Sequence, residues 1–156
     1  MRRVTRKVRA MKDNLRLINN DRKLQELDEQ TRAIVKLVLF DLACKGYKPR
    51  INEAYRSPED QERKFKQGLS KIKSGGKHQQ RRAADIIDDR YGWGYECPQE
   101  FWLYLASSAL ARGLKPGLFF GLGVIEKLKL KRAIQSHDFE KAKTLKWGWD
   151  CAHVER

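Results

Sequence analysis

The stretch Lys77-His78-Gln79-Gln80-Arg81-Arg82-Ala83-Ala84-Asp85-Ile86-Ile87 leads from a glycine-containing loop into a short apolar run. This run, Ala83 to Ile87, is flanked by charged residues, and that pattern predicts a buried β-strand. His78 and Asp85 are seven residues apart, so a straight helix would separate them by roughly 10 Å and a strand by roughly twice that. The chain must therefore turn if both side chains serve one site, and Gly75-Gly76 permits such a turn.

A second stretch, Trp147-Gly148-Trp149-Asp150-Cys151-Ala152-His153-Val154-Glu155, contains another acid and another histidine. Asp150 and His153 would lie on opposite faces of a regular strand, so a shared site requires a turn or bulge here too. Two imidazoles and one carboxylate leave zinc an open fourth position, as catalysis requires. From spacing alone the alternative stays open that Asp85 ends a strand in solvent and His153 is a surface residue.

Capping signals and apolar periodicity predict the remaining elements. Ser57-Pro58-Glu59-Asp60 combines a capping hydroxyl, an early proline and acids in the first turn, as a helix start does. The predicted helices are residues 21–45, 57–67 and 98–113, the further predicted strand is 47–55, and the predicted loop is 69–82. Because helices and strands do not alternate regularly, the pattern favours an α+β domain over a doubly wound sheet.

Length and composition bound the class of protein. The 156 residues are enough for a single domain, 1–156, with its own core, and 40% hydrophobic residues exclude a disordered chain. Three scattered cysteines form no Cys-x-x-Cys pair, which excludes a thiolate metal site and indicates a reducing compartment. Two strongly basic segments are interpreted as solvated: residues 1–12 as an N-terminal arm or a first helical turn, and residues 126–146 as a mobile loop excursion with room for one helix.

The formal net charge of +14 favours polyanionic partners, such as nucleic acid, anionic lipid or the polymers of a bacterial envelope. The first residues are basic but lack the apolar run of a signal peptide, and the longest apolar stretches are too short to span a bilayer. We therefore expect the protein to be made in a cytoplasm, that of a host cell, without a signal peptide.

Three elements belong together: Tyr55-Arg56-Ser57-Pro58-Glu59-Asp60-Gln61, the loop from His78 to Asp85, and Trp149-Asp150-Cys151-Ala152-His153-Val154-Glu155. Taken together they resemble the zinc D-alanyl-D-alanine and L-alanyl-D-glutamate peptidases, the VanY-like family, and most of all the small endolysins of bacteriophages. The family has Tyr-Arg-Ser/Thr-x-x-x-Gln, Ser-x-His-x-x-Gly-x-Ala-x-Asp and Asp-x-x-His elements in this order. Gly76 stands where the family has serine, and Arg81 stands where it has glycine.

The resemblance implies a fold and a set of roles. The fold would be a small antiparallel sheet with helices packed on it, as in the Hedgehog and D-alanyl-D-alanine peptidases. The implied zinc ligands are His78, Asp85 and His153. Asp150 would be the general acid/base, Arg56 would bind the substrate, and Glu155 would support His153 from behind. Of the remaining candidates, His137 is expected in solvent and Gln61 on a helix surface.

The implied activity is zinc-dependent hydrolysis of the peptidoglycan stem peptide at the L-alanyl-D-glutamate bond. The enzyme would be a phage lysis enzyme that acts at the cell wall, as a monomer and without an obligate protein partner. Two alternatives stay open. One is a D-alanyl-D-alanine carboxypeptidase, and the other is a non-catalytic basic nucleic-acid-binding module. The basic residues of 126–146 would hold the enzyme on an anionic envelope or form an ordinary solvated face.

Overall fold

A computed structural model describes residues 2–156 of the chain, with side chains described from residue 8 onward. The helices are α1 (Arg2–Gln25), α2 (Glu29–Cys44), α3 (Pro58–Lys66), α4 (Gln99–Ala111), α5 (Val124–Gln135) and α6 (Phe139–Thr144). The strands are β1 (Pro49–Glu53), β2 (Ala83–Asp88), β3 (Lys115–Pro116) and β4 (His153–Glu155). A short 3-10 helix, Gly117–Phe119, follows β3.

The four strands form one antiparallel sheet in the order β1-β2-β4-β3. All six residues of β2 are buried, which explains why its residues other than Asp85 and Asp88 are apolar on both faces of the strand. The register of β1 against β2 shifts between Ile51 and Glu53. This sheet, with helices packed on it, confirms the predicted α+β class.

The main core lies between the sheet and the helices α2 and α4. Val35, Val38 and Leu42 of α2 contribute, together with Phe101 and Leu105 of α4. A second cluster joins α4 to α5 and α6; its buried members include Leu103, Leu130, Ala133, Ile134 and Ala142. The main core also includes Ala84 and Ile86 of β2 and Val154 of β4, so the strands that carry Asp85 and His153 are held by buried apolar contacts.

The predicted single helix over 21–45 is wrong, because the chain breaks between α1 and α2. Asp28 caps the second helix: its side chain accepts a hydrogen bond from the backbone N of Thr31 at 2.8 Å. Leu24 and Leu27 lie on either side of the break and both enter the same core. The apolar periodicity therefore continues across a turn, and periodicity alone does not reveal it. The predicted end at Gly46 is confirmed.

The two basic segments are helical and are not extensions of irregular chain. Residues 126–135 lie in α5 and residues 139–144 in α6, so the predicted loop excursion is wrong. Leu130, Ala133 and Ile134 are buried on the inner side of α5. The many basic residues of the segment hid this apolar face in the sequence. Residues 2–12 are the first turns of α1, so the helical alternative is confirmed and the N-terminal arm is wrong; residue 1 lies outside the described residues.

The helix starts predicted from proline are confirmed. The hydroxyl of Ser57 accepts a hydrogen bond from the backbone N of Asp60 at 3.2 Å, and α3 follows with Pro58 in its first turn. Pro98 precedes α4, which ends two residues before Gly113. Within residues 2–156, no helix combines the length and apolar character that crossing a bilayer would take.

Candidate metal and active site

The site begins with a pair of residues that face each other across the sheet. Asp85 of β2 and His153 of β4 are direct partners in the antiparallel register, so their side chains project from the same face. The Nδ1 atom of His153 lies 3.0 Å from Oδ1 of Asp85. Both side chains are buried. The register thus brings together two residues that are 68 positions apart in the chain.

His78 reaches the same point from the loop between α3 and β2. Its Nε2 atom lies 3.2 Å from Oδ1 of Asp85 and 3.2 Å from Nδ1 of His153. The predicted turn between His78 and Asp85 is present: the backbone N of Arg82 donates to the carbonyl of Lys77 at 2.9 Å. Three donor atoms from distant parts of the sequence therefore form a small triangle.

The outer atoms of both imidazoles are held by hydrogen bonds that fix their tautomers. The Nδ1 atom of His78 lies 2.6 Å from the carbonyl oxygen of Ala54, which can only accept, so Nδ1 carries the hydrogen. The Nε2 atom of His153 lies 3.1 Å from Oε2 of Glu155, and this contact places the hydrogen on Nε2. When the rings are neutral, the inner nitrogen of each is left as an acceptor that points at Asp85.

These residues fit a zinc ion. In a tetrahedral site with ligands at about 2.0–2.2 Å, neighbouring ligand atoms lie about 3.3–3.6 Å apart, close to the three distances of His78, Asp85 and His153. Three acceptors that converge without a donor repel one another, and a cation or a proton relieves that repulsion. Ligand histidines oriented from behind by a carbonyl and a carboxylate are also typical of metal sites. Among the described residues, these three form the group able to hold a metal ion.

In the protein alone, a proton takes the place of a cation. Burial opposes the charge of Asp85, but hydrogen bonds with His153 and His78 outweigh it and hold the pKa of Asp85 far below its usual range. Burial alone would lower the pKa of His153, yet the carboxylates of Asp85 and Glu155 raise that pKa to about 9. A metal bound by these residues must therefore displace a proton from His153 at neutral pH.

Asp150 lies beside the triangle without belonging to it. Its Oδ2 atom is 4.0 Å from Nδ1 of His153, and about a quarter of its side chain is exposed. Burial raises the pKa of Asp150, and repulsion from Asp85 adds to the increase. A dication would offset the charge of Asp85, but the effect of burial would remain. Asp150 is thus a carboxylate with access to solvent and an increased affinity for protons, as a general base requires.

The predicted turn between Asp150 and His153 is also present. The backbone N of His153 donates to the carbonyl of Asp150 at 3.2 Å, and residues 151–152 lie in the turn. Gly117 packs directly against this turn. A β-carbon at Gly117 would lie 2.2 Å from the carbonyl oxygen of Asp150 and 2.9 Å from Cβ of His153. Only glycine fits at this position without displacing the two site residues.

Gly117→Ala is therefore expected to reduce zinc affinity and to destabilise the fold by about 1–3 kcal/mol, as overpacking does. Zinc titration and the thermal midpoint measure the two effects. Gly76→Ala is the matched control, because a β-carbon there would meet its nearest atoms at 3.9 Å and should leave both quantities unchanged. Normal zinc binding by Gly117→Ala would contradict the described packing of the turn.

Arg56 lies in the same pocket but is already engaged. Its Nε atom donates to Glu53 at 3.0 Å, its Nη2 atom also contacts Glu53, and Nη1 donates to Oε1 of Gln61 at 2.8 Å. Burial disfavours the charged guanidinium, but Glu53 outweighs it, so the pKa of Arg56 is raised. The guanidinium is therefore permanently charged and held in one orientation. Whether it contacts substrate stays a prediction.

Glu53 and Gln61 are site residues that sequence reasoning missed. Gln61 is almost fully buried, so the expectation of a helix-surface residue is wrong. Besides Arg56, its amide contacts the hydroxyl of Ser70 at 2.8 Å and the carbonyl of Ile72, which joins α3 to the loop before His78. The signal for Gln61 was present in the Tyr-Arg-Ser/Thr-x-x-x-Gln element. Glu53 had no comparable signal beyond its place in β1.

The departure at Arg81 leaves the loop conformation intact. Arg81 has φ +61, in the left-handed region that favours the glycine found there in the family. Its guanidinium lies 4.7 Å from the ring centre of Tyr55, and Nη1 contacts the carbonyl of Glu26 at 3.4 Å. These contacts offset part of the cost of the unusual backbone conformation. The loop therefore still delivers His78 to the site.

A pocket of about 580 Å³ opens over the three converging side chains. Trp149, Phe120 and Trp93 supply aromatic surface, and Lys64, Lys71 and Lys77 supply positive charge at its walls. The ammonium of Lys71 lies 4.5 Å from the ring centre of Trp149, which links the loop to the turn that carries Asp150. The pocket thus combines an apolar wall with a cationic one and suits an extended ligand that carries carboxylates.

Neither His137 nor Cys151 belongs to the group of side chains that could hold a metal. His137 is exposed in the turn between α5 and α6 and stacks on Phe139, as expected of a solvated histidine. Cys151 packs against the second core cluster, and burial raises the pKa of its thiol to about 11. A thiol with this pKa is an unreactive one at neutral pH.

Comparison with solved structures finds the same fold in the L-Ala D-Glu endopeptidase ChiX of Serratia marcescens. The two chains are 16% identical, the TM-score is 0.54, and the match covers 88% of this chain and 85% of that chain. No protein-family model matches the sequence, and no curated protein matches it either. The likeness establishes the fold class, and the chemistry is argued from the residues of the site.

Proposed function

We propose that this chain is a zinc-dependent peptidoglycan peptidase that hydrolyses the L-alanyl-D-glutamate bond of the stem peptide. The observation that carries the proposal is the triangle of His78, Asp85 and His153, with both outer nitrogens held by hydrogen bonds and a pocket above it. The fold shared with an L-Ala D-Glu endopeptidase supports the choice of substrate. Binding to nucleic acid does not require the buried, converging donor atoms of His78, Asp85 and His153.

The residues have distinct parts in the proposed reaction. Zinc, when bound by the three donors, supplies Lewis acidity that polarises the scissile carbonyl and activates water at neutral pH. Asp150 accepts the proton that the attacking water gives up and returns it to the leaving amine nitrogen as the C–N bond breaks. Arg56, held by Glu53 and Gln61, presents its remaining N–H groups to a substrate carboxylate or to the carbonyl oxygen.

Mass analysis of fragments released from purified sacculi tests the proposal. We expect peptides that begin with D-glutamate, and glycan strands that retain a single L-alanine. A chelator should stop the release, and added zinc should restore it. Loss of only the terminal alanine would identify a D-alanyl-D-alanine carboxypeptidase instead. No release, together with salt-sensitive binding to DNA, would identify the nucleic-acid module.

We further propose that the enzyme acts as a phage endolysin and is made in the host cytoplasm. It would work as a monomer and need no protein partner. The basic surface of α5 would help it to hold an anionic envelope: Lys127, Lys129, Lys131 and Arg132 are exposed within six positions. Within the part of the chain with described side chains, none of the four makes an ion pair, whereas Lys146 reaches Glu126 at 3.6 Å.

Replacing these four residues of α5 by glutamine is expected to weaken binding to intact sacculi and to leave hydrolysis of a short soluble stem peptide unchanged. The binding of the wild type should fall with added salt, because exposed charges are screened beyond about 8 Å at physiological ionic strength. Sedimentation with sacculi and peptide kinetics measure the two effects. Equal loss on both substrates would show that α5 shapes the active site. No loss on either would leave it an ordinary solvated face.

A further inference from the structure

The first helix carries an apolar stripe that no other part of the described chain covers. Val8, Met11, Leu15 and Ile18 recur at steps of three and four residues, so they lie on one side of α1. Their exposed fractions are 49%, 65%, 57% and 65%, which leaves most of each side chain in solvent. Contiguous apolar surface of this kind marks an interaction site more often than a random scatter does.

The stripe points away from the protein body. The body-facing side of α1 contains Asp13, Arg16, Asn20 and Leu24, and at 100° per residue this side lies roughly 165° from the centre of the stripe. Asp13 pairs with Lys48 at 2.7 Å, and the side chain of Asn20 bonds to both Pro49 and Ile51 of β1. The helix is therefore fixed to the sheet by one face, while the apolar face is directed outward.

The charge of α1 indicates the chemistry of the partner. The helix has nine basic and two acidic residues, and residues 2–12 have six basic residues and no acid. Arg9 and Lys12 are exposed, and neither makes an ion pair with a described side chain. Asp13 is already neutralised by Lys48 and Arg16. A helix that carries both an exposed apolar stripe and free cations matches a surface that offers both anionic groups and hydrocarbon.

A second copy of this chain is a poorer fit. The spacing of the stripe would suit a helix pair, but two copies of α1 would bring like charges together along the whole contact. Nucleic acid would satisfy the cations and leave the apolar side chains in water. We propose that α1 lies on an anionic phospholipid surface, with Val8, Met11, Leu15 and Ile18 inserted among the acyl chains and the basic residues at the headgroups.

Binding to vesicles tests this inference without any substrate, so its outcome is independent of the proposed hydrolysis. The full chain is mixed with vesicles of phosphatidylglycerol and phosphatidylethanolamine, or of phosphatidylcholine alone, and bound protein is measured by sedimentation. We expect binding to the anionic vesicles and none to the neutral ones. Leu15→Gln/Ile18→Gln should weaken anionic binding by about tenfold or more, because two inserted side chains are lost.

The matched control removes two apolar side chains of similar exposure from α2. Leu37 and Phe40 are 50% and 65% exposed, and Leu37→Gln/Phe40→Gln should keep wild-type binding. Arg9→Gln/Lys12→Gln should weaken binding to the anionic vesicles, because two free cations of α1 are lost. Circular dichroism and the thermal midpoint should be unchanged in all three variants, since every replaced side chain is exposed and glutamine is a good helix former.

Three outcomes would overturn the inference. Unchanged vesicle binding by Leu15→Gln/Ile18→Gln would mean that charge alone holds the lipid. Equal loss in the α2 control would mean that any exposed apolar pair suffices. A wild-type dimer in analytical ultracentrifugation that the α1 variant dissociates, with no vesicle binding, would assign the stripe to a second copy.

Discussion

Replacing His78 or His153 by alanine is expected to abolish zinc binding and peptide hydrolysis together. Each substitution removes one of three protein ligands, and two donors hold zinc too weakly to survive dialysis. We expect less than stoichiometric zinc by elemental analysis and a rate lower by a factor on the order of a thousand or more. The Ala54 carbonyl and the Glu155 carboxylate would remain in place, so the loss would come from the missing donor atom.

His137→Ala is the control for this experiment, because His137 is exposed in a turn distant from the pocket residues. It should retain both zinc and activity. The thermal midpoint in the presence of a chelator should be compared for all variants, since His78 also anchors its loop to Ala54. Stoichiometric zinc in both the His78 and His153 variants would reject the ligand assignment, whatever happened to the rate.

Local signals in the sequence predicted the elements that they directly encode. The start of α3 follows from the hydroxyl of Ser57 and the fixed φ of Pro58, both of which act within one turn. The strand β2 follows from a short apolar run flanked by charge. The break before α2 was missed because its signal, the cap Asp28, lies within an uninterrupted apolar period. Periodicity reports which residues face a core and does not report the direction of the axis.

The helices of residues 126–146 were missed for a related reason. Lysine is a good helix former, so a lysine-rich segment with a few buried apolar residues is compatible with a helix and with a solvated loop. The deciding contacts are those of Leu130, Ala133 and Ile134 with the second core cluster, and they depend on where α4 lies. The composition of the segment does not predict such long-range packing.

In the candidate site, too, the local features could be predicted from the sequence and the long-range ones could not. The sequence required turns before Asp85 and before His153, and both turns exist. The convergence itself rests on the register that pairs Asp85 with His153, a non-local property that no spacing encodes. Glu53 was missed because its role is to hold Arg56, and a residue that acts through another leaves little trace in a single sequence. Gln61 belongs to the quoted Tyr-Arg-Ser/Thr-x-x-x-Gln element, but its contact with Arg56 depends on the fold.

Asp150→Asn is expected to lower the hydrolytic rate by about a hundredfold or more while zinc stays bound. The substitution keeps the size of the side chain and removes the group that accepts the proton of the attacking water. Zinc should remain because Asp150 stands 4.0 Å from Nδ1 of His153, outside the three-donor group. The raised pKa of Asp150 also predicts the direction of the pH dependence. The wild-type rate should fall as the pH drops through that pKa, and the variant should lack this acid limb.

Glu155→Gln is the matched contrast, because Glu155 contacts the outer nitrogen of His153. This variant should lower zinc affinity by about 10–100-fold and recover its rate at saturating zinc. Elemental analysis and pH–rate profiles distinguish the two carboxylates. Loss of zinc from Asp150→Asn would make Asp150 a ligand and would require new roles for both Asp85 and Asp150.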